Sequence, residues 1–152
     1  MPANLTLILM KISKNSPNNL RVVFDTNIYI AALLKPGLAD LILLKANRKE
    51  FDLIISQEII NELKNKLIQK FHFPQKEIKQ FATDLKNFSQ IVKIDKTLNV
   101  IKNDPADNFI LETAVAGRAN LIITLDRHLL KLKKYQNIGI IHLKTLKWIM
   151  PD

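Results

Sequence analysis

Asp25 closes a short apolar strand, "RVVFD" (21–25), and Asn27 follows two residues later, before the apolar run resumes at Ile28. A carboxylate left unpaired at the end of a buried strand is costly, so its presence there points to a ligand. Asp126 stands in the same relation to "LIIT" (121–124), Asp107 precedes that strand by one helix, and Glu62 follows "FDLIIS" (51–56) by two helical turns. Carboxylates that converge repel and raise each other's pKa values. A divalent cation removes that difficulty. There is no cysteine, and His72, His128 and His142 show no ligand spacing, so oxygen donors favour Mg²⁺ or Mn²⁺ over zinc. One or two such ions hold a phosphate, generate hydroxide from water and stabilise a leaving oxygen. That is the chemistry of a metal-dependent phosphodiesterase.

The elements that must bring these acids together alternate along the chain. "RVVFD" reads as a strand, "IYIAALLK" (28–35) as a helix broken by Pro36-Gly37, and "LADLILLKAN" (38–47) as a second helix. "FDLIIS" is a strand, and Ser56 caps a helix whose Ile59, Ile60, Leu63, Leu67 and Phe71 recur at helical spacing. Pro74 starts a further helix that runs to about Ser89, and "IVKI" (91–94) is a strand. In "DPADNFILETAVAGRAN" (104–120), Asp104 is the expected N-cap, Pro105 the first helical residue and Gly117 the C-terminal end. "LIIT" is a strand, Asp126 caps the short helix "RHLLKLK", and "IGIIHL" (138–143) is the last strand. Short apolar strands separated by helices indicate a parallel sheet covered on both faces. Such sheets bind ligands beyond the carboxyl ends of their strands, where Asp25 and Asp126 fall.

The chain has 152 residues, enough for one domain with a sizeable core, and a hydrophobic content of 47% argues against disorder. Lys and Arg number 23 against 14 Asp and Glu, a net charge of +9, which suits a polyanionic partner such as nucleic acid. The absence of cysteine is compatible with a reducing cytoplasm. The apolar run Leu7–Met10 is too short to span a bilayer, so no membrane partner is expected. Residues 1–19 read as a loose tail ahead of a single domain over 20–152, and Met10 offers a second start besides Met1.

The chain resembles PIN-domain ribonucleases, of the kind found as the toxin of bacterial and archaeal toxin–antitoxin pairs, over about residues 20–147. "VVFDTNIYI", "LIISQEIINEL", "DPADNFILETAVAGRANLIIT" and "TLDRHLL", in that order and spacing, carry the resemblance. It implies an α/β fold, a three-layer α/β/α sandwich with a central parallel sheet of strand order 3-2-1-4-5. It implies an acidic catalytic and metal site of Asp25, Glu62, Asp107 and Asp126, supported by Asn27, Thr124 and Asp104, with Mg²⁺ or Mn²⁺ as cofactor. An RNA substrate, a homodimer and a silencing antitoxin follow from the same likeness. Many relatives carry an acidic residue where this chain has His128, which alters the outer rim of the site.

Ordinary explanations compete at several positions. Glu62 and Lys66 form an i,i+4 surface pair, and the residues alone do not prefer Glu62 over Glu58. Asn27 serves equally as a helix cap or as site support. Asp104 and Asp107 stand at N-cap and N3, so Asp104 is assigned to capping and Asp107 to metal. Thr124 is a strand residue whose place beside Asp126 favours a hydroxyl contact. The helices over 28–47 supply a core or a dimer face, Lys131, Lys133 and Lys134 a solvated face near the crevice rim, and Trp148 closes one end of the core. A haloacid-dehalogenase-type phosphatase, whose strand ends in DxD, is opposed by Asn27 at the second acid. A nucleic-acid-binding module without activity is opposed by the four intact acids.

Overall fold

Val22, Val23 and Phe24 are all buried, as a strand covered on both faces requires. They form the centre of β1 (Arg21–Phe24) in a computed structural model that describes residues 19–96 and 104–146. The chain continues through α1 (Thr26–Leu34), α2 (Leu38–Asn47), β2 (Asp52–Ser56), α3 (Gln57–Gln69), α4 (Gln75–Phe88) and β3 (Ser89–Val92). It then forms α5 (Pro105–Ala116), β4 (Leu121–Thr124), α6 (Arg127–Leu132), β5 (Lys134–Tyr135), β6 (Ile138–His142) and a 3-10 turn (Leu143–Thr145). The expected N-terminal tail, Met10 and Trp148 lie outside the described residues.

The sheet order is β3-β2-β1-β4-β6-β5. Its first five strands are parallel and reproduce the expected 3-2-1-4-5, with β6 in fifth place. The sheet has a sixth strand that the sequence reading lacked: β5 pairs antiparallel with β6 through a turn with Gln136 in the left-handed region, φ 54°. Two residues are too few to leave a period-2 pattern. The third strand begins at Ser89, two residues before the expected Ile91, because α4 passes into it without a loop. It is an edge strand, and Ile91 is 47% exposed.

Helices flank this sheet. The face Ile59, Ile60, Leu63 and Leu67 buries α3, whereas Phe71 lies past the helix end and is exposed. Ile28, Tyr29, Ile30, Ala39, Ile42 and Ala46 bury α1 and α2, so the core is the main use of this pair, with Leu34 and Leu44 left exposed. Among the described residues no single helix is long and apolar enough to cross a membrane. Pro74 is the N-cap of α4 rather than its first residue. Gly117 ends α5 as expected, and a Cβ there would collide with the Ile54 side chain of β2. Arg21 ties the amino ends of the strands together through Gly117 O and Gln90 Oε1, both at 2.8 Å, and Asp52 at 3.6 Å. Between β1 and β4 the chain order reverses, and the crevice at such a switch point is where ligands bind in open α/β sheets.

Candidate active site

Asp25 follows β1 directly, and its backbone N–H still donates to Ile123 O of β4 at 2.9 Å. It is the N-cap of α1 by backbone geometry, yet its side chain makes no capping bond. The carboxylate instead accepts 2.7 Å from Thr124 Oγ1, at the end of β4. The same hydroxyl accepts 2.8 Å from the backbone N–H of Asp126. One buried threonine thus fixes the two acids that leave adjacent strands. Asp126 caps α6, accepting from His128 N at 2.7 Å.

From the other direction, α5 begins at the same edge. Asp104 caps it, with Oδ1 accepting from Asp107 N at 3.1 Å, so its capping assignment holds. Asp107 at N3 is 4% exposed, and among the described residues its Oδ2 has no hydrogen-bond partner. Asp104, Asp107, Asp126 and His128 each place one donor atom within 4.8 Å of the others. Asp25 adjoins this group through Thr124 and Asp126.

Glu62 approaches from α3. Thr26 Oγ1 donates to its Oε2 at 3.2 Å, and Lys66 pairs with its Oε1 at 3.0 Å. The expected i,i+4 pair therefore forms, and Glu62 stands outside the four-donor group. Glu58 turns to Lys96 instead, at 3.1 Å. Asn27 does not cap α1. It lies inside the helix, exposed, with Oδ1 3.5 Å from Lys66 Nζ. Lys66 thus joins Glu62 to Asn27, a placement that is not legible in the sequence because its pairing with Glu62 looks like solvated surface. A cleft of about 350 Å³ opens here, lined by Asn61, Glu62, Asn65, Lys66, Lys70 and Phe109, among others.

The electrostatics follow from burial among like charges. Burial pushes the Asp107 carboxyl up to about 8, and the hydrogen bond to Asp104 and the charges of Asp126, Asp104 and Asp25 act the same way. Burial also raises Asp25, against the Thr124 hydrogen bond; Asp126 and Glu62 raise it further while Lys66 lowers it. These are carboxylates held where charge is disfavoured. The donor set fits a hard divalent cation: clustered carboxylates, and a buried oxygen with a free acceptor position.

A family model described as PIN domain matches residues 21–128. The uncharacterized protein MJ1680 of Methanocaldococcus jannaschii is 30% identical over 142 residues, covering 83% of this chain and 85% of that protein. The crystal structure of VapBC2 from Rickettsia felis, bound to a DNA fragment from their promoter, superposes with a TM-score of 0.53 at 21% identity, covering 81% of this chain and 98% of that chain. That likeness is one of fold.

Proposed function

The chain belongs to the PIN-domain family, and from that premise we propose that it is a Mg²⁺- or Mn²⁺-dependent endoribonuclease acting as the toxin of a toxin–antitoxin pair. PIN domains are typically nucleases. The observation that carries the reading is the burial of Asp25 and Asp107, at 5% and 4% exposure, beside Asp126 at the switch point of the sheet. Structural need does not explain them, because among the described residues Thr124 supplies the one side-chain hydrogen bond to Asp25, and one oxygen of Asp107 has no partner.

Asp25, Glu62, Asp107 and Asp126 would hold the cation, with Asp104, Asn27 and Thr124 in support. When bound, the cation neutralises the carboxylates, lowers the pKa of water and stabilises charge on phosphoryl oxygens. The chain's own residues do the rest. Thr124 holds Asp25 and Asp126 in fixed relation. Lys66 sets a positive charge beside Glu62 and Asn27, where it attracts a phosphate. The cleft with Lys66 and Lys70 takes the adjoining strand of RNA, and the net charge of +9 draws the polyanion in. The protein acts in the cytoplasm as a homodimer silenced by an antitoxin. Exposed Leu34 and Leu44 on α1 and α2 support the dimer, and the fold shared with VapBC2 supports the antitoxin.

The test compares wild type with Asp25→Asn. Wild type cleaves RNA when Mg²⁺ or Mn²⁺ is added, stops with EDTA and leaves p-nitrophenyl phosphate intact, while the folded variant is inactive. Undiminished RNA cleavage by a folded Asp25→Asn protein refutes the reading. Turnover of p-nitrophenyl phosphate without RNA cleavage would replace it with a phosphatase.

A further inference from the structure

His128 is the one nitrogen donor in the group of four that converges within 4.8 Å; the other three members are Asp104, Asp107 and Asp126. Acids in a cluster do not by themselves make a site. Here a second observation joins them: Asp107, a member of the group, is 4% exposed, and its Oδ2 has no hydrogen-bond partner among the described residues. A cation held by this group would have three carboxylates and one imidazole as donors, and His128 is the exposed member. The His128 backbone N–H is fixed to Asp126 Oδ1 at 2.7 Å, whereas the ring Nδ1 lies 3.8 Å from that oxygen. That separation is too long for a hydrogen bond. The residue is therefore anchored through its backbone, with 66% of the side chain exposed.

Building on the nuclease reading, we infer that His128 ligates the divalent cation of this site and biases the site toward Mn²⁺ over Mg²⁺. Mg²⁺ is held by oxygen and keeps its waters, whereas affinity for a nitrogen donor rises along the first-row series that begins at Mn²⁺.

The test uses the full chain, without RNA, at a pH where imidazole is neutral. Mn²⁺ and Mg²⁺ are titrated separately by calorimetry, and the Mn²⁺-loaded protein is examined by electron spin echo spectroscopy. Wild type shows imidazole nitrogen modulation, and His128→Ala loses it. In that variant Mn²⁺ affinity falls about tenfold while Mg²⁺ affinity changes by less than about threefold. His128→Asp, with oxygen in place of nitrogen, shifts the preference toward Mg²⁺. The inference is overturned by any of three results: no nitrogen coupling in wild type, a coupling that survives in His128→Ala, or equal losses for both ions. Nitrogen-coupled Mn²⁺ in a protein that cleaves no RNA removes the nuclease reading and leaves His128 as a ligand. RNA cleavage without nitrogen coupling does the reverse.

Discussion

The Thr124 hydroxyl donates to Asp25 Oδ2 at 2.7 Å across the junction of β4 and β1. It also accepts from Asp126 N at 2.8 Å, so one oxygen carries the geometry of two acids. Valine keeps the shape of threonine and removes both bonds. Thr124→Val leaves a buried carboxylate and an amide without partners, which costs about 1–3 kcal/mol. Cleavage falls about 10–100-fold, as for loss of a group that orients a metal ligand. Thr124→Ser keeps the hydroxyl and retains most of the activity. Melting curves and RNA cleavage rates for the two variants check this; a fully active Thr124→Val removes the positioning role.

Metal-free stability depends on pH through the same acids. Asp107 titrates near 8, and Asp25 is also raised, both above the value of about 4 expected for the unfolded chain. The folded protein thus keeps protons that the unfolded chain releases. This stability is complete below about pH 4 and is lost as pH rises through the folded values, up to about 8 for Asp107. His142 has a lowered pKa, from burial and then from Lys144, and its opposing slope acts below about pH 6.5. Between about pH 6.5 and 8, then, the melting temperature in EDTA falls as pH rises. Millimolar Mn²⁺ or Mg²⁺ lifts the curve, more at higher pH, because the ligands must be deprotonated. Differential scanning calorimetry against pH, with and without cation, decides the matter. A flat or rising curve in EDTA, or no shift with cation, counts against a cation site built on Asp107.

Asp25 is legible in the sequence because a carboxylate directly after three apolar strand residues has few structural uses. The structure buries it, at 5% exposure. The parallel strands are legible for the same reason: Val22–Phe24 and Leu121–Ile123 are apolar on both faces. Glu62 is not legible from the residues alone. Periodicity identifies the face of α3 but not what stands opposite, and the partner Thr26 lies 36 residues away. Asn27 was open between cap and site because the sequence does not locate the start of α1 to the residue, and Asp25 takes the N-cap position. The convergence of His128 with three acids is not legible from spacing. A lone histidine two residues after an aspartate matches no ligand pattern, and its neighbours Asp104 and Asp107 come from another element.

Asp104 and Asp107 share the first turn of α5 and fail differently when replaced. Asp104 Oδ1 accepts from Asp107 N at 3.1 Å, so Asp104→Ala removes a cap and costs about 1 kcal/mol. It also takes one donor from the cation group, so more Mn²⁺ or Mg²⁺ is needed. At saturating cation, below the melting point, cleavage largely persists. Asp107→Asn keeps the size of the side chain, and its amide N–H₂ donates to Asp104 as a protonated carboxyl would. It removes the charge that burial and three neighbouring acids disfavour. Metal-free stability therefore stays level or rises, most visibly toward pH 8, where the native carboxyl begins to ionise. The charge a cation needs is gone, so cleavage falls by more than about 100-fold, beyond the loss expected for an orienting residue. Melting in EDTA and RNA cleavage across a cation titration, measured for both variants in parallel, separate the roles. If Asp104→Ala is the inactive protein at saturating cation and Asp107→Asn is only less stable, then Asp104 is the ligand and Asp107 the structural residue.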